Sequence, residues 1–343
     1  MIDLASAPPF DDIRRLIAAM PGPDQAAVAA VRDRNANLAK PAGSLGRLEW
    51  LVEWLAAWQG RAPPSVDRPL VCVFAASHGV ARRAGVGFAP ETGRRILENF
   101  AAGGQAINQI CATYGLGFKV FDLALDLPTG DIADGPAMEE KACVATMAFG
   151  MEAVAGGTDL IALGDMDAGN TVVAAAVYAA LYGGAPQTWV GEGALDEVGR
   201  ARQVAVVQAA LDRHRGSLDD PLEILRRLGG REIAAIAGAI IAARLQRVPV
   251  VLDGYAATAA AAVLHALDPG AVDHCIAGHL SAEGAHQQVL ERIGKIPLLA
   301  LGLRLGQGTG AALAIGLVKA AAACHRDMAT SDQAGFAQRS AGA

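Results

Sequence analysis

Two glycine-rich runs hold the polar residues best placed for chemistry. Gly306–Gly310, GQGTG, follows an apolar stretch and opens a segment of helical pattern, with Gln307 inside it. Asp165–Thr171, DMDAGNT, stands in the same context after another apolar run, with Asn170 and Thr171 as cap-like residues. Backbone N–H groups at a helix N-terminus attract anions, and glycine lets a phosphate approach closely. Either run alone is equally well read as a tight turn with an N-cap. Two of them in one parallel sheet favour a phosphate-bearing small molecule. Neither run contains the Gly-Lys-Ser/Thr ending of a P-loop or a full dinucleotide fingerprint, which argues against both of those classes.

Other polar residues punctuate apolar surroundings. Ser77-His78-Gly79 ends one apolar run, and His78 is read either as catalytic or as a histidine bonded within the fold. His279, Ser281, Glu283 and His286 share one loop without the spacing of a common metal motif, so Ser281 is read as a donor to phosphate or ribose. KPAGSLGRLE places Lys40 and Ser44 around a Pro-Gly turn, with Ser44 as the expected helix cap.

The elements that must position these residues follow from periodicity. Residues 10–60 read as amphipathic helices. Then short apolar strands alternate with helices: RPLVCVFAA, FKVFDLAL, TDLIALG ending at Gly164, RVPVVLDG, AVDHCIAG and an extended or strand-like KIPLLALGL. Such alternation implies a parallel sheet covered on both faces. Ligands then sit beyond the carboxyl ends of the strands. The loops of interest are therefore 77–79, 165–171, 253–255, 279–286 and 306–310.

Bulk properties narrow the class. The 343 residues are 52% hydrophobic and 19% charged, with a net charge of −6 and 40 glycines. This is a well-buried globular chain with scattered arginine pairs and no basic footprint for nucleic acid. Cys72, Cys111, Cys143, Cys275 and Cys324 form no CxxC pair, so neither zinc nor any other metal is expected. No segment reads as a membrane span, and the acidic start lacks an apolar signal core, which makes the cytoplasm the expected compartment.

Taken in order, KPAGSLGRLE (40–49), SHGVARRAGVGFAP (77–90), FAAGGQAIN (100–108), TMAFGMEAVAGGTDLIALGDMDAGNT (146–171), LGGREIAAIAGAI (228–240), LDGYAATAAAA (252–262), HLSAEGAH (279–286) and LGLRLGQGTGAALA (301–314) resemble the nicotinate-nucleotide:dimethylbenzimidazole phosphoribosyltransferases of cobamide biosynthesis. The resemblance implies a doubly wound α/β fold, with a large nucleotide-binding domain at 63–310. It also implies a smaller helical domain built from 1–62 with 311–343, and a homodimer that uses no cofactor. The implied reaction moves phosphoribose from nicotinate mononucleotide to a benzimidazole-type base and inverts the anomeric carbon. Its products are α-ribazole phosphate, for the cobalamin lower ligand, and nicotinate. In the family the glutamate of RLGEGTG is the general base, and Gln307 holds that position here. The carried-over roles give Asp165 as the surviving carboxylate. Ser281, Gly169, Asn170, Thr171, Gly308 and Thr309 hold phosphate and ribose. Phe88, Ala89, Leu97 and Leu305 line the acceptor pocket.

The same resemblance marks departures. GDMDAGNTV stands for GEMGIGNTT, PETGR for PxEVT, Ser77 for an acidic or amide residue, and GEGALD for a GxGTG loop. Glutamine can orient an N–H but cannot take its proton. Three readings follow: a working transferase using Asp165 or Asp167 as base, a catalytically impaired relative that binds nucleotide or base as a sensor, and a silent partner of an active subunit.

Overall fold

The computed structural model describes residues 9–86, 90–166, 168–191 and 196–335. Three helices come first: α1 (Pro9–Ala18), α2 (Gln25–Asn37) and α3 (Arg47–Gln59). Then follow β1 (Pro69–Ala75), α4 (Val80–Ala84), α5 (Pro90–Ala101), α6 (Ala106–Tyr114), β2 (Gly117–Asp122), α7 (Glu140–Met151), β3 (Leu160–Met166) and α8 (Asn170–Tyr182). Next come α9 (Pro186–Trp189), α10 (Glu197–Arg213), α11 (Pro221–Leu228), α12 (Arg231–Leu245), β4 (Val250–Leu252) and α13 (Tyr255–Leu267). The chain continues through β5 (Cys275–Ala277), α14 (His286–Arg292) and α15 (Thr309–Asp327).

Among the described residues the strands form one parallel sheet of order β2-β1-β3-β4-β5. The order reverses between β1 and β3, so the crevice where ligands settle opens beyond the carboxyl ends of those two strands. The apolar runs are continuous because both faces are buried. Phe74, Ile161, Leu163, Val250 and Leu252 face one core, which contains residues of α7, α8, α12 and α13. Val71, Val73, Leu160, Ala162 and Val251 face a second core, with α2, α3, α6 and α15.

The closest helix contact explains two glycines in otherwise ordinary helical sequence. A Cβ at Gly150 of α7 would stand 1.9 Å from the Ala235 carbonyl oxygen of α12. One at Gly238 of α12 would stand 1.9 Å from the carbonyl oxygen of Met147 in α7. The two backbones touch, and each glycine is the hollow that receives the other helix.

Several boundaries correct the expectations. β3 runs past Gly164 to Met166, so Asp165 lies in the strand, paired with Phe74, and not in the following loop. FKVFDLAL ends as a strand at Asp122. KIPLLALGL forms no strand of the sheet; a single parallel bridge joins His279 to Leu299 beside β5. No side chain caps α3. Its N-cap is Gly46, and the role assigned to Ser44 falls away. Lys40 instead anchors the base of that exposed loop. Its side chain is 6% exposed and pairs with Glu49 at 2.9 Å, while Glu49 also accepts the Leu45 N–H at 3.1 Å.

Candidate active site

The polar loops meet beyond the carboxyl ends of β1, β3 and β4, and small residues let them interlock. Gly306, Gln307 and Gly308 are all left-handed, with φ of 70°, 60° and 75°. Glycine adopts this conformation freely, but for glutamine it costs about 1–2 kcal/mol. The turn presses on β3 at Gly164, where a Cβ would lie 2.3 Å from the Gly308 nitrogen. The Gln307 N–H donates to the Asp165 carbonyl at 2.9 Å. The Asp165 carboxylate accepts from the Asn170 side-chain amide at 2.5 Å, and the Asn170 carbonyl oxygen accepts the Thr171 N–H at 2.8 Å. Gln307 is only 7% exposed, and among the described residues its side-chain oxygen has no hydrogen-bond partner.

Asp253 lies directly beneath this turn. It is fully buried, and its two oxygens accept the N–H groups of Gly308 and Ala311, each at 3.0 Å. Burial alone would raise its pKa. The His279 ring, 3.4 Å away, and the two N–H groups outweigh burial and hold the carboxyl below its ordinary value. The Thr309 N–H and hydroxyl both turn back to the Gly306 carbonyl. The backbone donors expected to cradle a phosphate at GQGTG are thus largely engaged within the fold, with a buried carboxylate beneath them. At the start of α8 the N-cap is Gly169; the Thr171 N–H is held by the Asn170 side chain, and the Val172 and Val173 N–H groups turn to the Gly169 carbonyl. The dipole of α8 makes that helix end suited to an anion.

The 279–286 loop is fixed by one histidine. The Ser281 N–H donates to Nδ1 of His286 at 2.9 Å, so the ring proton sits on Nε2. That nitrogen donates to the Thr258 hydroxyl at 3.0 Å, and Thr258 donates to the Gly254 carbonyl at 2.8 Å. Burial pushes the His286 pKa down to about 3 and keeps the ring neutral. The Ser281 hydroxyl accepts the Glu283 N–H at 3.2 Å, and a Cβ at Gly254 would lie 3.8 Å from that hydroxyl. Burial raises the pKa of Glu283, with Arg304 opposing it, and its carboxylate lies against Gly191.

A chain of contacts therefore gathers Asp165, Asn170, Gln307, Gly308, Thr309 and Ser281 into one region. Leu97 is half-buried against the second core, and Leu305, just before the turn, is 54% exposed. Phe88, Ala89, Asp167 and residues 192–195 lie outside the described residues. The His78 ring is fully buried against Glu232, which favours the reading within the fold over direct catalysis. Among the described residues no group of His, Cys, Asp and Glu is arranged to hold a metal ion. Asp253 was missed as the residue that fixes the α15 turn. Its signal was an acid directly after the apolar run VVL and before glycine, in a context that otherwise buries no charge.

The sheet order, with convergent loops at the strand ends, defines a parallel α/β protein of the class that carries its ligand site at a topological switch point. A family model described as phosphoribosyltransferase matches residues 20–336. The nicotinate-nucleotide–dimethylbenzimidazole phosphoribosyltransferase of Rhizobium rhizogenes K84 is 59% identical over 332 residues, covering 96% of this chain and 98% of that protein. The protein of the same name from Rhizobium etli CIAT 652 is 61% identical over 328 residues, covering 95% and 97%. The crystal structure of a Thermus thermophilus enzyme of that name superposes with a TM-score of 0.84 at 39% identity, covering 92% of this chain and 99% of that one. The chain belongs to the nicotinate-nucleotide–dimethylbenzimidazole phosphoribosyltransferase family.

Proposed function

We propose that this chain transfers the phosphoribosyl group of nicotinate mononucleotide to a nitrogen of a benzimidazole-type base. The new nitrogen–C1′ bond forms as the bond to nicotinate breaks, with inversion at C1′, and the proton on the acceptor's other nitrogen departs. The names of the relatives support this reading. The observation that carries it is the buried carbonyl oxygen of Gln307, unpartnered among the described residues, on a turn fixed between Asp165 and Asp253. That oxygen accepts the acceptor's N–H and orients the base. Asp165 takes the proton. The start of α8, at Gly169, Asn170 and Thr171, receives the phosphate, and Ser281, Gly308 and Thr309 bound the ribose. Leu97 and Leu305 flank the base. The working unit is a cytoplasmic homodimer of two-domain chains, divided as 1–62 with 311–343 and 63–310.

With an amide at the general-base position, turnover is slower by about 10²–10⁴, or about 3–5 kcal/mol of barrier. A product assay with nicotinate mononucleotide and dimethylbenzimidazole tests this. Slow formation of α-ribazole phosphate is expected, rising when Gln307→Glu restores a carboxylate. No product from either protein would sink the reading. The same amide favours a second reading, a relative that binds nucleotide or base as a sensor without turnover. A ligand-dependent rise in melting temperature with no product from either protein would establish it.

A further inference from the structure

A buried histidine–glutamate pair lies beneath the start of α8, and the proposed chemistry does not use it. Glu232, in the first turn of α12, and the His78 side chain are both fully buried, with Nε2 of His78 3.1 Å from a Glu232 carboxylate oxygen. No hydrogen bond reaches either Glu232 oxygen among the described residues, so the imidazole is what compensates this carboxylate. A buried carboxylate without a partner is costly, and one kept at the first turn of a helix also gains from the helix dipole.

The ring spans two glycines. Its Cε1 abuts Gly230, where a Cβ would stand 2.2 Å away and 2.4 Å from a Glu232 oxygen. At the other end, a Cβ at Gly169, the left-handed N-cap of α8 with φ of 103°, would meet Ala81 of α4 at 3.1 Å and the His78 Cβ at 3.6 Å. Imidazole, carboxylate and the two glycines thus make a strut from the start of α12 to the turn that opens α8.

We infer that Glu232 and His78 are positioning residues for the phosphoribosyl donor: the pair sets the height of the Gly169–Asn170 turn, so that the N-terminal end of α8 meets the donor's phosphate. This rests on the reading above that the phosphate sits at that turn. Neither side chain touches the donor, and the effect falls on donor binding rather than on the acceptor or the transfer step.

The test is calorimetric titration of the full chain with nicotinate mononucleotide, alongside steady-state kinetics and thermal melts. His78→Asn and Glu232→Ala each raise the donor Kd and KM about tenfold, while the KM for the base and kcat stay within about twofold. Glu232→Gln keeps the volume and an acceptor oxygen, and stays within about threefold of the parent. Folded variants with a lower melting temperature and an unchanged donor Kd would show that the pair only cements the core. If Glu232→Ala fails to fold, His78→Asn decides alone. Parent protein that binds no donor overturns the functional reading and this inference together. Parent binding with undisturbed variants overturns only this one.

Discussion

His286 carries more of the site than its place in the sequence suggests. Its neutral ring joins the Ser281 N–H to the Thr258 hydroxyl, and protonation would destroy the acceptor at Nδ1. His274 is likewise held down to about 3, by burial and by Arg244, which donates to its Nδ1 at 3.4 Å. The unfolded-state value is about 6.5, so the unfolded chain binds protons that the native one refuses as pH falls. Stability is therefore complete above about pH 6.5 and declines toward pH 3, at about 1.4 kcal/mol per pH unit for each such proton. Urea unfolding between pH 7 and 4 checks this, and a flat profile contradicts it. At this scale the sequence was partly legible. Asp165, Asn170 and Ser281 were marked by their setting after apolar runs. Glu232 was not, because a glutamate in the first turn of a helix is what dipole stabilisation alone would place there. Its burial comes from packing against a residue more than 150 positions earlier.

Among the elements, the contact between α7 and α12 is the most demanding. Gly150 and Gly238 each accept a carbonyl of the opposite helix with no space for a methyl group. Gly238→Ala should cost about 1–3 kcal/mol or more through forced separation of the helices, read as a lower urea midpoint at unchanged m-value. An unaltered midpoint would mean that the helices slide apart freely. The strands and the helices around the site were readable from periodicity. Neither α7 nor the run from α10 to α12 was marked out as helical, although α12 carries part of LGGREIAAIAGAI. α12 is apolar on every side, with nearly all of its residues buried, so it lacks the amphipathic stripe that announces a helix. KIPLLALGL, read as a strand or an extended run, is the latter: it hydrogen-bonds beside β5 through Leu298 and Leu299 without forming a named strand.

For the whole molecule, the sheet separates two cores, and each strand contributes alternate side chains to both. α2 and the last turns of α15 are sewn together by backbone carbonyls. The Arg34 guanidinium donates to the carbonyls of His325 and Arg326, and Asn35 meets His325 at 2.8 Å. On the outside, Trp50 is 46% exposed and Ile296 75%, on either side of the bonds from Arg47 to the Ile296 and Pro297 carbonyls. Large apolar groups left open in this way suit burial against a second copy. Sedimentation equilibrium of the proposed dimer should return twice the chain mass, and Trp50→Glu with Ile296→Glu should halve it. A monomer before any substitution rules the dimer out. The parallel sheet followed from alternation of strands and helices alone. The pairing of chain ends did not, because it depends on arginine-to-carbonyl bonds that leave no pattern in composition.

Asp253 has a consequence for how the protein is made. It follows β4, yet the N–H groups that satisfy its carboxylate belong to residues 308 and 311. A ribosome that has delivered the whole sheet has still not delivered those donors. Until α15 emerges, that carboxylate has the His279 ring but not the two N–H groups, and the glutamine-bearing turn has nothing to close on. Folding of the site therefore waits for the last part of translation. A chain cut short before α15 lacks the site and also holds a buried carboxylate short of two of its donors.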